Sequence, residues 1–380
     1  MQRVQQIRVP FDYPVAFTRD VLADANPTLA DAIGRREPER RHRALFVVDE
    51  GLRDATPGLM DAIARYARAH DTRIVLSGEP MVAPGGERAK NERDHLERVL
   101  ARIEKDKLDR HAFVVALGGG AMLDMVGYAA AIAHRGVRVV RVPSTVLAQA
   151  DSGVGVKCGV NMFGKKNFLG AFAPPFAVVC DSAMLETLSP RDRRSGMAEA
   201  VKVALVKDAA MFEWIGASAA RLSAGEPALV TELVRKSADK HLDHIANGGD
   251  PFEMGSARPL DFGHWAAHKL ESLTHNALRH GEAVAIGLAL DAIVSEKMRL
   301  CDETVPARTI ATLRALGFRL WDDALDRPEH VLAGLEEFRE HLGGELTVTM
   351  LTAAGAGREV HQVDDAHVRA AIGRLRAEDR

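Results

Sequence analysis

The chain has 380 residues, of which 47% are hydrophobic and 27% are charged, proportions typical of a globular protein. This length exceeds that of one ordinary hydrophobic core and therefore predicts two domains. The formal net charge of −3 gives no overall attraction to nucleic acid or to an anionic membrane, so we expect neither as a partner.

The three cysteines, Cys158, Cys180 and Cys301, are odd in number and far apart, so they predict neither a disulfide framework nor a zinc ribbon. The N-terminus lacks the apolar core of a signal peptide, and no window approaches ~18 consecutive apolar residues. A cytoplasmic location is therefore the default expectation.

The first half of the chain alternates strand and helix patterns. Runs rich in β-branched residues predict strands at 44–48, 72–76, 112–117, 138–142 and 177–180, with helical patterns such as 59–69 and 91–104 between several of them. This alternation predicts a Rossmann-like parallel sheet covered by helices. From about residue 191 helical spacing dominates, at 191–206, 228–245, 265–274, 282–300 and 307–315, until a strand pattern at 346–351. We therefore predict an α/β domain at 1–182 and a mostly α-helical domain at 183–380.

Two glycine-containing loops in the first domain are candidates for cofactor binding. Gly119 and Gly120 end a glycine run that follows a predicted strand and opens a helix containing Asp124, where backbone N–H groups can approach a pyrophosphate. The pattern differs from G-x-G-x-x-G, so a plain tight turn remains an alternative. In the loop at 84–90, the carboxylate of Glu87, three residues before Lys90, could accept hydrogen bonds from ribose, or the loop could be an exposed capping turn.

The segment 143–157, followed by 164–167, is dense in hydroxyls, glycines and charged groups, and it includes Ser144, Thr145 and Asp151. Core packing does not require such a composition, so we interpret it as a ligand-binding segment. Lysines such as Lys166, with the amide of Asn167 beside it, suit a phosphate as point charges.

Three residues of the helical half, Glu199, His264 and His280, each lie in a short polar cluster. Two imidazoles and one carboxylate are the donor set of a catalytic Zn²⁺ or Co²⁺ with open coordination positions. Lys202 follows Glu199 by three residues and His268 follows His264 by four, so each pair shares a helix face. A surface ion pair and a buried histidine pair are the respective alternatives. The glutamate of H-E-x-x-H is missing, which excludes a zinc protease.

Together these motifs resemble dehydroquinate synthase and its sugar phosphate cyclase relatives, from about residue 49 to about residue 355. The resemblance implies an NAD-binding first domain and a metal- and substrate-binding second domain. It implies that Glu199, His264 and His280 hold one Zn or Co ion. The NAD-contacting positions that it implies are Asp49, Glu87, Lys90, Gly119, Gly120, Asp124, Ser144, Thr145, Lys166 and Thr187. The implied substrate-contacting positions are Asp151, Lys157, Asn167, Lys202, Lys240, Arg258 and His268.

The resemblance also implies a carbon–oxygen lyase reaction in which bound NAD⁺ is used catalytically. A hydroxyl is oxidised to a ketone, phosphate leaves by β-elimination, the ketone is reduced again, and ring opening with an intramolecular aldol closure gives a carbocycle. Lys202, Asp151, His280 and His268 are the expected catalytic residues, with Lys202 stabilising developing oxyanion charge. Arg135 matches a residue that reaches into the partner's site, which implies a homodimer.

Three departures from the family concern the substrate. Dehydroquinate synthases carry Asn near the substrate carboxylate, three residues before the first metal histidine, where this chain has Asp261. Two carboxylates ~4 Å apart at an effective dielectric of ~20 would repel by roughly 4 kcal/mol before screening. Asp261 would better accept a hydrogen bond from a substrate hydroxyl. The segment from Lys240 to Arg258 is longer than usual, and Arg339-Glu340 replaces an expected Lys-Lys pair, although Arg339 could substitute for one lysine.

His268 is retained as in dehydroquinate synthase, so the chain combines features of several cyclases. We predict a cyclase for a neutral sugar phosphate, such as a heptulose 7-phosphate. Genuine 3-dehydroquinate synthase is the first alternative. An NAD- and zinc-dependent polyol or glycerol phosphate dehydrogenase is the second, and it would release NADH stoichiometrically. A non-enzymatic binding protein with a vestigial site is the third.

Overall fold

The computed structural model describes residues 3–7, 9–249, 252, 259–341 and 344–379. The predicted substrate residue Arg258 lies outside these described residues. The chain divides into two compact units. The first unit takes the described residues of Met1–Ser144 and Gly153–Thr187, and the second takes those of Thr145–Ser152 and Leu188–Arg380. The segment Thr145–Ser152, which the sequence prediction assigns to the first domain, therefore belongs to the helical unit.

The first unit is an α/β structure, as the sequence predicts. Its strands are β1 (Val15–Thr18), β2 (His42–Asp49), β3 (Ile74–Leu76), β4 (Met81–Ala83), β5 (Phe113–Gly118), β6 (Arg138–Pro143), β7 (Lys157–Met162), β8 (Lys165–Phe172) and β9 (Ala177–Asp181). Its helices are α1 (Thr28–Gly34), α2 (Glu50–Ala55), α3 (Leu59–Ala69), α4 (Arg88–Asn91), α5 (Arg93–Lys105) and α6 (Gly120–Ile132).

The main sheet has the order β1-β9-β6-β5-β2-β3, with β4 also paired to β2, and every pairing in it is parallel. β5 and β9 are buried along their whole length, as the strands of a sheet covered on both faces must be. β7 and β8 form a separate antiparallel hairpin. The predicted parallel sheet is therefore confirmed.

The strand order indicates at which edge of this sheet a ligand would bind. The chain adds β3 beyond β2 on one side and then returns to place β5 and β6 on the other side, so the winding direction reverses between β2 and β5. In open α/β sheets, ligands bind outside the carboxyl ends of the strands at such a reversal. β2 ends there at Asp49 and β5 ends at Gly118.

The second unit is mostly helical, again as predicted. Its helices are α7 (Pro190–Ser195), α8 (Met197–Lys207), α9 (Ala209–Ser223), α10 (Pro227–Asn247), α11 (His264–Leu273), α12 (His280–Lys297), α13 (Thr304–Ala315), α14 (Pro328–His341) and α15 (Asp365–Asp379). β10 (Val348–Ala353) and β11 (Ala356–Val360) form an antiparallel pair.

Helix α12 is the centre of this unit and is buried on nearly every side, which explains its almost uninterrupted apolar sequence. It packs against α8, α11, α13 and α15. A π-helical turn at Ala148–Ser152 packs against α8 and α10. None of the helices in the described ranges is both long and apolar enough to cross a membrane.

Candidate functional site

The three expected metal ligands come together in the second unit, each near the first turn of a helix. Glu199 lies near the start of α8, and His264 and His280 are the first residues of α11 and α12. One donor atom from each residue lies within 4.8 Å of the other two. Gly281 allows this approach, because a Cβ there would lie 1.7 Å from the carbonyl oxygen of Ser195.

The orientation of both imidazoles fits a metal ion. The Nε2 atoms of His264 and His280 lie 3.4 and 3.0 Å from the same oxygen of Glu199, Oε1. Each Nδ1 instead faces an outer acceptor, the Phe262 carbonyl at 3.2 Å for His264 and the Glu271 carboxylate at 3.4 Å for His280. Such acceptors hold the ring proton on Nδ1 and leave the Nε2 lone pair directed inward, as metal ligation requires.

The electrostatics of the cluster show that its carboxylates attract positive charge. Burial by itself raises the pKa of Glu199, but the charges of Lys202 and His264 and the imidazole hydrogen bonds hold it well below its ordinary value. Burial lowers the pKa of His280, but hydrogen bonds and charges from Glu199 and Glu271 outweigh it and raise this pKa to about 10. The buried carboxylates therefore demand cationic neighbours, which a divalent metal can supply.

Lys202 connects the metal ligands to the loop that carries Asp151. Its Nζ lies 2.5 Å from Oε2 of Glu199 and 3.7 Å from Oδ2 of Asp151, and its side chain is only 4% exposed. Burial lowers the pKa of Lys202, but the charges of Glu199, Asp151 and Asp261 outweigh it and raise this pKa. The side chain is thus a buried ammonium beside the metal ligands, suited to stabilise a developing oxyanion.

His268 and Asp261 also belong to this cluster. His268 is exposed on α11, and its ring lies 5.4 Å from that of His264 and 6.2 Å from that of His280. Asp261 ends a 3-10 turn just before α11 and lies close enough for its charge to affect Lys202. Their contacts with a substrate stay predictions.

Lys240 and His241 are consecutive residues of α10 that face different carboxylates, and the contact of Lys240 with a substrate stays a prediction. The Nζ of Lys240 pairs with Oδ2 of Asp208 at 2.7 Å and is 40% exposed. Its neighbour His241, which is not among the expected site residues, places Nε2 3.3 Å from Oδ1 of Asp151. The buried residues of α10 include Val230 and Val234, and position 241 continues that stripe, which is the signal that identifies it.

A second group of possible ligands, His268, Glu271 and His280, shares one histidine with the first. Glu271 is buried and faces Nδ1 of His280, which is the place of an outer carboxylate. We expect Glu271→Gln to lower Zn²⁺ affinity by about tenfold, because the amide oxygen can still accept from Nδ1 but the charge is lost. Competition with a chromophoric chelator measures this, with Glu213→Gln as the control at an exposed carboxylate of the same unit. Complete loss of zinc would instead make Glu271 a direct ligand.

In the first unit, three of the expected NAD residues, Asp49, Gly119 and Gly120, lie at the strand ends of the winding reversal. The carboxylate of Asp49 accepts from the backbone N–H groups of Gly51, Leu52 and Gly119 at 2.8–3.4 Å. A Cβ at Gly118 would lie 2.5 Å from that of Asp49, so this close approach requires glycine. Helix α6 begins at Gly120 without a side-chain cap, which leaves N–H groups for a phosphate.

Other expected NAD residues of the first unit are paired with one another. The Nζ of Lys90, which is almost fully buried, lies 2.8 Å from Oδ2 of Asp124. Glu87 accepts from the amide of Asn161 at 2.9 Å and lies 3.6 Å from Nζ of Lys166. Asn161 was not predicted, and a single asparagine within a strand carries no pattern that would identify it.

The hydroxyl residues Ser144, Thr145 and Thr187 lie at or near the ends of elements. The Oγ1 of Thr145 accepts from the backbone N–H of Ala148 at 3.1 Å. The Oγ1 of Thr187 donates to the carbonyl of Met184 at 2.8 Å. These bonds shape the loops, and contacts of the three residues with NAD stay predictions.

The remaining expected residues lie near the surface. Arg135 and Lys157 are exposed, and Asn167 adopts φ 53° beside the β7–β8 turn. Arg339 is exposed on α14 and bonds Glu336 of the same helix at 2.5 Å. Its substitution for a phosphate-binding lysine, and the reach of Arg135 into a partner subunit, stay predictions.

Comparison with known proteins places this geometry in a family. The family model for the N-terminal domain of 3-dehydroquinate synthase matches residues 80–195, and the model for the C-terminal domain matches residues 196–336. The 3-dehydroquinate synthase of Jannaschia sp. (strain CCS1) is 40% identical over 309 residues, which are 81% of this chain and 79% of that protein.

Solved structures agree with this placement. ValA, the 2-epi-5-epi-valiolone synthase from Streptomyces hygroscopicus subsp. jinggangensis 5008 with NAD⁺ and Zn²⁺ bound, is 30% identical with a TM-score of 0.89, over 100% of both chains. A 2-deoxy-scyllo-inosose synthase complexed with carbaglucose-6-phosphate, NAD⁺ and Co²⁺ shares the fold, at 22% identity and a TM-score of 0.78, covering 94% of this chain and 95% of that one. The chain therefore belongs to the 3-dehydroquinate synthase family.

Proposed function

We propose that this protein is an NAD- and divalent-metal-dependent sugar phosphate cyclase, a carbon–oxygen lyase of the dehydroquinate synthase reaction type. The observation that carries this function is the buried cluster of Glu199, His264 and His280 with Lys202 against its carboxylate. When bound, NAD would supply the hydride acceptor and donor, and Zn²⁺ or Co²⁺ on the three ligands would polarise the reacting oxygen.

The residues around the ligands have distinct tasks in this proposal. Lys202 holds a positive charge where an alkoxide or enolate oxygen would develop charge in the transition state. Asp151, 3.7 Å from that ammonium, keeps it oriented. Burial of Lys202 strengthens the interaction of its ammonium with a reacting oxygen.

The names of the curated relatives favour 3-dehydroquinate synthesis, the first alternative of the sequence analysis, over a neutral substrate. We therefore take the heptulosonate phosphate of the shikimate pathway as the first candidate substrate. A neutral heptulose 7-phosphate is the second candidate, because Asp261 places a carboxylate beside Lys202. ValA, similar over its whole length, is named for a different product, so family membership is compatible with either substrate.

An assay of inorganic phosphate release tests this function. The protein, NAD⁺ and Zn²⁺ or Co²⁺ would be incubated in parallel with the heptulosonate phosphate and with sedoheptulose 7-phosphate, while NADH absorbance is followed. We expect phosphate release from one of them without net NADH, and none after the metal is removed by a chelator. Release from the first identifies a dehydroquinate synthase, and release from the second identifies a cyclitol-forming enzyme. Net NADH from a polyol without phosphate release would instead identify a dehydrogenase.

A further inference from the structure

Asp291 is the only ionisable group among the buried residues of helix α12, all of which the structure describes. It has no exposed surface. Its Oδ2 accepts from the backbone N–H of Gly263 at 2.8 Å, and its Oδ1 accepts from the indole N–H of Trp265 at 2.9 Å. The two donors belong to the residues immediately before and after His264. One carboxylate therefore holds both chain neighbours of an expected metal ligand.

Asp291 lies on the face of α12 that begins with the other ligand histidine. At 100° per residue, the directions of His280, Gly287 and Asp291 differ by no more than about 40°. Gly287 lies directly against the start of α11, because a Cβ at this glycine would lie 2.1 Å from the carbonyl oxygen of Gly263. The first turn of α11 is thus packed on the same face of α12 that carries His280.

The two hydrogen bonds satisfy donors that are buried at the start of α11. Gly263 precedes the helix and has no side chain with which to cap it, and a carboxylate is favoured at the N-terminal end of a helix. Trp265 is almost fully buried, so its indole N–H needs an acceptor inside the protein. Removing the carboxylate would leave both donors without that acceptor.

The same anchor reaches the group that orients the imidazole of His264. The Nδ1 of this ring faces the carbonyl of Phe262 at 3.2 Å, and Phe262 is the residue before Gly263. A displacement of Gly263 would therefore move the ligand together with the carbonyl that sets its ring orientation.

On the basis of the metal site in the proposed function, we propose that Asp291 is a positioning residue for that site. Its two hydrogen bonds fix the first turn of α11 on α12. They thereby direct His264 towards the oxygen of Glu199 that His280 also faces. Asp291 is not itself one of the ligands and acts only through His264.

An Asp291→Asn variant tests this role. Asparagine keeps the shape of the side chain but offers one acceptor oxygen to two donors and turns its NH₂ group towards one of them. We expect the Zn²⁺ dissociation constant, measured by competition with a chromophoric chelator, to rise about tenfold. The visible absorption bands of the Co²⁺-loaded protein should shift as well, because they report the arrangement of the ligands. Neither measurement needs a substrate.

Ser295→Ala is the matched control. Ser295 lies one turn further along α12, is equally buried, and its Oγ donates to the backbone carbonyl of Asp291 and accepts from the N–H of Leu351. We expect this variant to lower the thermal midpoint but to keep the Zn²⁺ dissociation constant within about twofold of the wild type.

Trp265→Phe removes only the indole donor, so its Zn²⁺ dissociation constant should lie between those of the wild type and Asp291→Asn. If Asp291→Asn does not fold, Trp265→Phe takes its place, and an unchanged dissociation constant in it would then overturn the inference.

Two other results would also overturn the role of Asp291. One is an Asp291→Asn protein with a lowered thermal midpoint but wild-type zinc affinity and Co²⁺ bands, because Asp291 would then only stabilise the fold. The other is an equal loss of zinc affinity in Ser295→Ala. A wild type that binds no zinc would overturn the metal site and this inference with it. Zinc binding without phosphate release would overturn the proposed reaction alone, and the zinc affinities of the variants would still decide the role of Asp291.

Discussion

A Glu199→Gln variant is expected to bind no stoichiometric Zn²⁺ and to lose activity by at least about 10³-fold, more than the loss expected from removing one oxyanion-stabilising donor. Glu199 is the only anionic ligand of the predicted set, and one of its oxygens faces both inward-directed imidazole nitrogens. The glutamine amide is neutral, so it does not attract the metal ion. It also does not offset the repulsion between the Lys202 ammonium and that ion. Zinc content by atomic absorption and phosphate release measure the two effects.

The variant also tests whether the cluster is structural. Removing the charge leaves Lys202 with Asp151 as its nearest partner at 3.7 Å, so a moderate drop in the thermal midpoint is expected. Glu232→Gln is the matched control, because Glu232 is exposed and pairs with Lys236 in the same unit. One zinc per chain with full activity in Glu199→Gln would contradict the metal site, whatever its effect on stability.

The fold could be predicted because its elements have local signatures. The pattern at 59–69 coincides with α3, and the runs at 44–48 and 112–117 lie within or beside β2 and β5. β1 is not predicted by the sequence patterns, because it has only four residues and all of them are half-buried. Its partner in the sheet, β9, comes near the end of the first unit's sequence. Pairing between such distant segments is decided by tertiary packing, which no short window of sequence reports.

The expected metal ligands could also be selected from sequence, since one carboxylate and two imidazoles are a donor set that suits Zn²⁺ or Co²⁺. Their convergence within 4.8 Å depends on how α8, α11 and α12 pack, which the sequence does not state. Ligation of a metal stays a prediction until an ion is measured.

The choice between Lys240 and His241 shows a different limit. A family resemblance aligns residue types, and a lysine is the natural candidate for a phosphorylated substrate. The direction of a side chain depends instead on helix phase, and the half-buried position 241 follows the buried Val234 and Ala238 of α10 at helical spacing. Helical periodicity therefore explains why His241, and not Lys240, faces Asp151, while the contact of Lys240 with a substrate stays a prediction. The assignment of Thr145–Ser152 to the second unit has a similar cause, because contacts of that turn with α8 and α10 decide it.

Substitution of Asp261 by asparagine is expected to change the choice of substrate. Relative to sedoheptulose 7-phosphate, kcat/KM for the heptulosonate phosphate should rise by about 10²-fold, since the roughly 4 kcal/mol of unscreened carboxylate repulsion is partly reduced by solvent and salt. Asp261 lies near enough to Lys202 to raise its pKa, so its charge is felt inside the catalytic cluster. Asparagine keeps the size of the side chain and adds a donor for the substrate carboxylate.

Both substrates are needed, because the ratio separates selectivity from a general loss of activity. Loss of the negative charge should also weaken the electrostatic support of the Lys202 ammonium. This second effect would lower the turnover of both substrates equally, so it would not change the ratio of their kcat/KM values. Asp326→Asn is the control, since Asp326 is an exposed partner of Arg376. A wild type that prefers the heptulosonate phosphate, with a ratio unaltered in Asp261→Asn, would mean that Asp261 does not face the substrate carboxylate. The residue would then be compatible with genuine 3-dehydroquinate synthesis, and the case for a neutral substrate would fail.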